Sequence, residues 1–300
     1  MTNIKQDFQW YALALVFAVA VLIWQAVFRE GRGGFLTVAF LDVGQGDAIF
    51  IEAPNGNQVL IDGGPNGGIL RELGKLMSFY DRSIDALVVS NPDADHIAGF
   101  VDVIRRYKVG ALIEPGTKPA TAVYRSLEES AARDGVDRII ARRGDRLILD
   151  ERRGIVLDML FPDADASGFD TNEGSLVTKL SYGDSCFLMM GDAPRAVEGY
   201  LVSLDREYLK CQLVKAGHHG SKTSSSDVFV GAASPRYAVI SSGAGNRYGH
   251  PHNEVLETFE RFGVKVLRTD LLGSVIVRSD GLEVFVRNGG TENRPAVKFR

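Results

Sequence analysis

The sequence predicts an α+β protein: an αββα sandwich, two packed sheets with helices outside, preceded by one N-terminal transmembrane helix. Three observations lead there. An uncharged apolar run of membrane-spanning length lies near the amino terminus. The remainder alternates short β-rich runs with amphipathic segments. These segments form two mixed strand–helix halves, whose apolar faces are buried most simply by packing sheet on sheet.

The apolar run is Phe8–Phe28, FQWYALALVFAVAVLIWQAVF, 21 residues without a charge. A helix of that length rises roughly 30 Å, matching the hydrocarbon core of a bilayer. Trp10, Tyr11 and Trp24 lie toward its ends, where aromatic rings suit the interface. A cleaved signal peptide has a shorter apolar stretch of about 7–15 residues and a small-x-small site. Here the run is followed by Arg29-Glu30-Gly31-Arg32, without such a site. The expectation is an uncleaved single-pass anchor, with residues 1–7 as a tail and 29–34 as a linker. Lys5 before the span and Arg29 and Arg32 after it lean weakly toward a cytoplasmic domain.

A single domain is expected over residues 35–287. LTVAFLDVG, DAIFIEAP and QVLIDGG are β-rich runs, each closed by Gly, Pro or Asn. A helix is expected over Ile69–Tyr80, with Leu70, Leu73, Leu76 and Met77 on one face. DALVVS is an apolar strand ending in the turn Asn91-Pro92-Asp93, and helical spacing returns at His96–Tyr107 and Ala120–Arg133. IVLDMLFP, SLVTKLSYG and SCFLMMGD form a second strand group. Helix Pro194–Leu204, strands QLVKAG and YAVISS, helix Asn253–Phe262 and two final strands complete the domain. Residues 288–300 are polar and expected to be a loose tail.

Composition narrows the class. Hydrophobic residues make up 45% and charged residues 24% of 300, which excludes a disordered chain, a collagen-like repeat and a multi-span membrane protein. A formal charge of −4 argues against a chain-wide electrostatic nucleic-acid binder, leaving room for a local basic groove. Cys186 and Cys211 are too few for a disulfide scaffold and lack CxxC spacing. There are only five histidines, and all fall in NPDADHIAG, AGHHGSKTS and YGHPH. Each segment follows an apolar strand, where loops carry reactive groups on a rigid frame.

In the first segment Asp93, Asp95 and His96 meet in one turn before a helix. Helix capping would need one acid, not two acids and a histidine. Carboxylate oxygen with imidazole nitrogen suits Zn²⁺, Mn²⁺ or Fe²⁺. Asp192 in LMMGDA again directly follows an apolar strand, where a turn role competes with a ligand role. His218-His219-Gly220-Ser221-Lys222 adds imidazole, hydroxyl and ammonium groups suited to a metal with an adjacent phosphate. Gln45 and Asp47 in VGQGDA border the expected pocket, with capping or turn roles equally open.

LDVGQGDAIFIEAPNGNQVLIDGG, SNPDADHIAG, MMGDA, KAGHHGSKTSSS and NRYGHPHNEV together resemble the metallo-β-lactamase-like domain of ComEC-type competence proteins, from about Leu36 to Gly281. The resemblance implies a metal-dependent hydrolase with its metal at the edge between two sheets. Competence proteins also carry a multi-span channel domain. One helix stands in its place here, so channel activity does not carry over.

The superfamily's HxHxDH motif falls on Asn91, Asp93, Asp95 and His96. The competence branch commonly has Asp at the second place, so Asn91 is the departure. Asn172 in NEGSLV stands at the third-motif histidine. The implied ligands are Asp95, His96, the bridging acid Asp192, and imidazoles from 218–219 and 250–252, with His218 and His250 the expected pair. Asp62, Asn91 and Asn172 are expected to orient them from behind. The cofactor expected is a divalent metal, Zn²⁺ or Mn²⁺, with one firm site and one weak, oxygen-rich site that favours Mn²⁺ or Mg²⁺.

Such an ion makes hydroxide available at neutral pH by lowering the pKa of bound water toward about 7. Asp93 is the expected general base and His219, with His250 as the alternative, the expected proton donor. Ser221, Lys222 and Thr223 are expected to bind the substrate phosphate. The leading expectation is a membrane-anchored phosphodiesterase or nuclease acting on DNA, with its domain extracytoplasmic as the competence resemblance implies. Two alternatives stand beside it. One is a non-catalytic DNA- or metal-binding module of an envelope or DNA-uptake machine, motivated by Asn91 and Asn172. The other is a hydrolase of a nucleotide, a phosphonate or other small phosphate ester, or a lactone.

Overall fold

A computed structural model of the chain describes the backbone of residues 3–31 and 34–288, with side chains at 8–25 and 34–286. The side chains of Lys5, Arg29 and Arg32, and all of the expected 288–300 tail except Asn288, which closes the last strand, lie outside the described residues. Helix α1 (Asn3–Gly31) runs through the expected span and into the expected linker. Every described side chain from Phe8 to Gln25 is exposed, and the helix is long and apolar enough to cross a membrane.

The domain opens with strands β1 (Leu36–Phe40), β2 (Ile49–Glu52), β3 (Gln58–Ile61), β4 (Ser83–Val88), β5 (Lys108–Glu114) and β6 (Asp137–Ile140). A second set follows: β7 (Arg146–Asp150), β8 (Ile155–Phe161), β9 (Val177–Tyr182), β10 (Ser185–Met189), β11 (Leu213–Lys215), β12 (Tyr237–Ile240) and β13 (Lys265–Arg268). Finally β14 (Val275–Ser279) and β15 (Val284–Asn288) return to the first sheet. The spatial orders are β15-β14-β1-β2-β3-β4-β5-β6 and β13-β12-β11-β10-β9-β8-β7.

Alternation along single strands shows why the sheets pack as they do. Leu36, Val38 and Phe40 of β1 point into the layer between the sheets, beside Leu157, Leu180, Phe187 and Met189. Ala39 points the other way, into the core under helices α2 (Ile69–Leu76), α3 (Ala94–Arg106) and α4 (Ala122–Arg133). In β10, Phe187 and Met189 join the central layer, while Cys186 and Leu188 face helices α5 (Arg195–Asp205), α6 (Asp227–Ala233) and α7 (Asn253–Arg261). Strands covered on both faces become continuous apolar runs, and a period of two distributes them between two cores.

The structure departs from expectation in places. The first amphipathic helix ends at Leu76, because Met77 is already extended, and Ser78–Tyr80 are exposed. Strands β5, β6 and β7 were not expected. All four residues of β6 are exposed, so this edge strand carries no alternating pattern. Three strands, not two, follow α7. Cys186 and Cys211 are joined in a disulfide, with their Cα atoms 5.2 Å apart.

Strand directions place the site. β1 is antiparallel to β2 and β2 to β3, while β3, β4 and β5 are parallel, so β1, β3 and β4 end at one edge. β10, β11 and β12 are mutually parallel in the second sheet and also end together. The loops leaving these strands meet across the two sheets.

Candidate metal centre

Four side chains converge from three of those loops. Asp95 and His96 lie in the first turn of α3, directly after the β4 loop. Asp192 follows β10, and His219 lies in the 3₁₀ turn Gly217–Gly220 after β11. His96 Nε2 is 3.2 Å from Asp192 Oδ2, and His219 Nε2 is 3.2 Å from Asp95 Oδ2 and 3.6 Å from Asp192 Oδ2. Asp95, His96 and His219 offer ligand atoms that all lie within 4.8 Å of one another.

The opposite ring nitrogens explain the orientation. His96 Nδ1 is 2.8 Å from Asp62 Oδ2, and Asp62 also accepts from the Ser90 N–H and hydroxyl. His219 Nδ1 is 3.1 Å from Ser241 O and 3.3 Å from Asp47 Oδ1. A carbonyl only accepts, so the neutral His219 ring carries its proton on Nδ1 and presents a lone pair at Nε2. The backbone that carries the cluster is strained into place: Asp62, His218 and His219 all have φ near +50° to +60°. Gly46 lets the Asp47 loop close on α3, since a Cβ there would sit 2.1 Å from Asp95 O.

These residues fit a divalent cation. His96 Nε2, His219 Nε2 and Asp192 Oδ1 are buried with no hydrogen-bond partner, although all face the same cluster. Such orphaned polar atoms are costly unless a ligand completes them. Carboxylates crowd the site, with Asp47, Asp62 and Asp192 buried and Asp93 and Asp95 partly so. Burial would lower the pKa of His96, but Asp192 and Asp62 outweigh it and raise it well above the ordinary value. Burial likewise opposes protonation of His219, yet Asp192 and Asp47 push its pKa up to about 9. Burial would raise Asp192, and the two rings hold it well below the usual carboxylate range. Two imidazole nitrogens set 3.2 Å from carboxylate oxygens form a donor set of the kind that suits a divalent cation.

The other expected residues are distributed around this cluster. His218 is more exposed; its Nδ1 is 3.1 Å from Thr223 Oγ1 and its Nε2 3.8 Å from Asp192 Oδ2. His250 stacks edge-on against His218 and His252, with ring centroids 5.7 Å and 4.9 Å away. Its Nδ1 is buried without a partner, and burial, with His219 and His218 nearby, lowers its pKa to about 4. Ser221 Oγ accepts from the Thr223 hydroxyl, and Lys222 is exposed. Asp93 is the N-cap residue of α3 but makes no capping bond; its Oδ2 accepts from the Thr171 hydroxyl, and burial raises its pKa.

Asn91 is fully buried. Its Nδ2 donates to Asn172 Oδ1 at 2.7 Å and its Oδ1 accepts from the Asp93 N–H. A neutral amide pair thus ties the β4 loop to the loop before β9. Gln45 Oε1 accepts from the Gly243 N–H and closes the far side.

Sequence reasoning missed Lys215. It is fully buried at the end of β11, with its ammonium on Asp47 Oδ2 and 3.2 Å from Gly191 O. Burial disfavours its charge, but Asp47 and Asp192 more than compensate, and its pKa is raised. The available signal was a lysine directly before the AGHHG turn, in a strand too apolar to face water.

A two-sheet sandwich with an Asp/His cluster at the joined strand ends defines a class, the metal-dependent hydrolases of this architecture. The chain belongs to the metallo-beta-lactamase superfamily, whose family profile matches residues 41–244. It is 31% identical over 278 residues to ComE operon protein 3 of Bacillus subtilis, covering 86% of this chain and 34% of that protein. It is 30% identical to competence protein ComA of Neisseria gonorrhoeae, covering 79% of this chain and 31% of the other. The chain therefore spans about a third of the length of these relatives. Among solved structures, CmlA, a diiron beta-hydroxylase from Streptomyces venezuelae, matches with a TM-score of 0.54 and 13% identity, over 81% of this chain and 54% of that one. That likeness concerns the fold.

Proposed function

We propose that the protein is a membrane-anchored phosphodiesterase working with one firmly held divalent ion, and that its substrate is DNA. The observation carrying this reading is the set of orphaned atoms His96 Nε2, His219 Nε2 and Asp192 Oδ1 beside Asp95. Asp95, His96, Asp192 and His219 would hold Zn²⁺ or Mn²⁺. His219 takes the ligand role in place of His218, because its Nδ1 is held by Ser241 O and its free Nε2 faces Asp95 Oδ2 at 3.2 Å, whereas His218 Nε2 stands 3.8 Å from Asp192 Oδ2. When bound, the ion supplies Lewis acidity and a source of hydroxide near neutral pH.

The chain's own residues do the rest. Asp93, with its pKa raised by burial and its Oδ2 held by Thr171, accepts the proton of the attacking water. His218 and His250 are neutral at pH 7, since burial lowers both, and serve as hydrogen-bond donors to phosphoryl oxygens. Lys222 and the Ser221 and Thr223 hydroxyls line the approach and offset phosphate charge. The Asn91–Asn172 bond occupies the place of histidine ligands, which supports a single firm ion with a weak second position.

The similarity to competence proteins supports DNA as the substrate, and that family's context supports an extracytoplasmic domain. The Cys186–Cys211 disulfide supports the same side, since such bonds persist in oxidising compartments. A reporter fused after Arg300 tests the orientation. For activity, the purified chain is incubated with DNA and Mn²⁺ or Zn²⁺, with Asp192→Ala alongside. Cleavage that survives this substitution unchanged removes the assignment. The Asn91–Asn172 bond also favours a second reading, a non-catalytic DNA- or metal-binding module. DNA cleavage by the metal-loaded chain, measured beside DNA binding, separates the two, because a module without catalysis binds without turnover.

A further inference from the structure

We infer that the edge of the first sheet opposite the metal centre rests on the lipid surface, with Phe79 at the membrane interface. This rests on reading α1 as the membrane span. The argument begins with strand direction. β1, β3 and β4 are parallel in space, so the starts of β1 at Leu36 and β4 at Ser83 share one edge. Asp62, Asn91 and His96 lie beyond the opposite ends of β3 and β4. Strands of five or six residues at about 3.3 Å each separate the two edges by roughly 20 Å.

The anchor enters on the Leu36 side, and an aromatic loop lies there too. Residues 78–82 join α2 to β4. Phe79 is 85% exposed, touching the domain through an edge-on contact with the Tyr80 ring at 5.3 Å between centroids. Beside it, the Tyr80 ring lies 6.1 Å from the ring of Trp24, near the carboxyl end of the apolar stretch of α1. The loop is therefore continuous with the part of the anchor that meets the bilayer surface, where aromatic residues concentrate.

Charged side chains ring this edge. Helices that return antiparallel to the strands bring their last turns to this same edge. Lys75 ends α2, Arg105 and Arg106 end α3, Arg82 precedes β4 and Lys108 begins β5, and all five are exposed. Lys75 is shared with Glu72 and Arg105 with Asp102. Asp81 and Asp85 keep their negative charge while accepting from the side-chain amide and backbone N–H of Gln58, and Glu52, Asp134 and Asp137 lie at the same edge. The edge thus joins one projecting aromatic loop to a rim of both charge signs, whose long basic side chains suit a headgroup layer. Seated this way, the metal centre faces water on the far edge.

The test uses the full chain in nanodiscs of phosphatidylcholine. Nitroxide labels are placed by Phe79→Cys, Leu15→Cys and Tyr248→Cys. The native cysteines are bonded to each other, so each introduced thiol is the labelling target. All three positions are exposed, and the substitutions leave the core intact. The ratio of oxygen to nickel-chelate accessibility reads depth. The expected result is a ratio at position 79 several-fold above that at 248 and below that at 15. A label at 79 matching 248, while 15 reads as membrane, overturns the interface and leaves the anchor intact. A label at 15 in water removes the anchor reading, and this inference with it. Spin coupling between copies at 79 assigns the loop to a protein contact and overturns the lipid surface.

Discussion

Loading the metal-free protein with Zn²⁺ or Mn²⁺ at pH 7 is expected to expel about two protons per ion, one each from His96 and His219. Both rings have pKa values raised by neighbouring carboxylates, His219 to about 9. A ligand nitrogen must be deprotonated. Displacing the His219 proton at pH 7 therefore costs about 3 kcal/mol, at 1.36 kcal/mol per pH unit. Apparent affinity should rise about tenfold per pH unit for each proton displaced, and flatten as pH passes the ring's own pKa. The same shift acts oppositely on the metal-free fold. His219 holds its proton more tightly folded than at its ordinary 6.5, so this stabilisation is complete below about pH 6.5 and lost as pH rises through about 9. Calorimetric titration in buffers of differing ionisation enthalpy counts the protons, and melting of the metal-free chain from pH 6 to 9.5 gives the second curve. A count near zero at pH 7, with affinity independent of pH, would refute the ligand assignment.

Four further outcomes follow from particular contacts. Lys215→Met leaves Asp47 buried without its cation and should cost about 3–5 kcal/mol, with Asp47→Asn added to it restoring part of the loss in denaturant unfolding. Asn91→Ala should cost about 1–3 kcal/mol by orphaning Asn172 Oδ1. Converting both Asn91 and Asn172 to His should raise the ion count from one to two by elemental analysis, and an unchanged count would separate these positions from any metal site. Phe187→Ala should lower stability by about 3–5 kcal/mol, because the ring is fully enclosed between the sheets.

What was legible in the sequence was what a short window encodes. The apolar alternation of β1 and β10, the amphipathic face of α3, and the punctuation by Gly and Pro all repeat within one element. The motifs placed Asp95, His96 and Asp192 because each follows the end of an apolar strand. The misses have a common physical character. β6 sits at a sheet edge with every residue exposed, so burial imposes no period on it. His218 and His219 are consecutive residues, both at positive φ, in a turn where neither helical nor strand periodicity says which ring points inward. Lys215 sits in an apolar strand, and its partner Asp47 is 168 residues away. Cys186 and Cys211 lie 25 residues apart, and adjacent strands bring them together. In each case tertiary packing decides which group meets which. The metal centre is therefore half legible: its residue types can be read along the chain, whereas the assignment of ligand, orienting acid and compensating cation arises only where the two sheets meet.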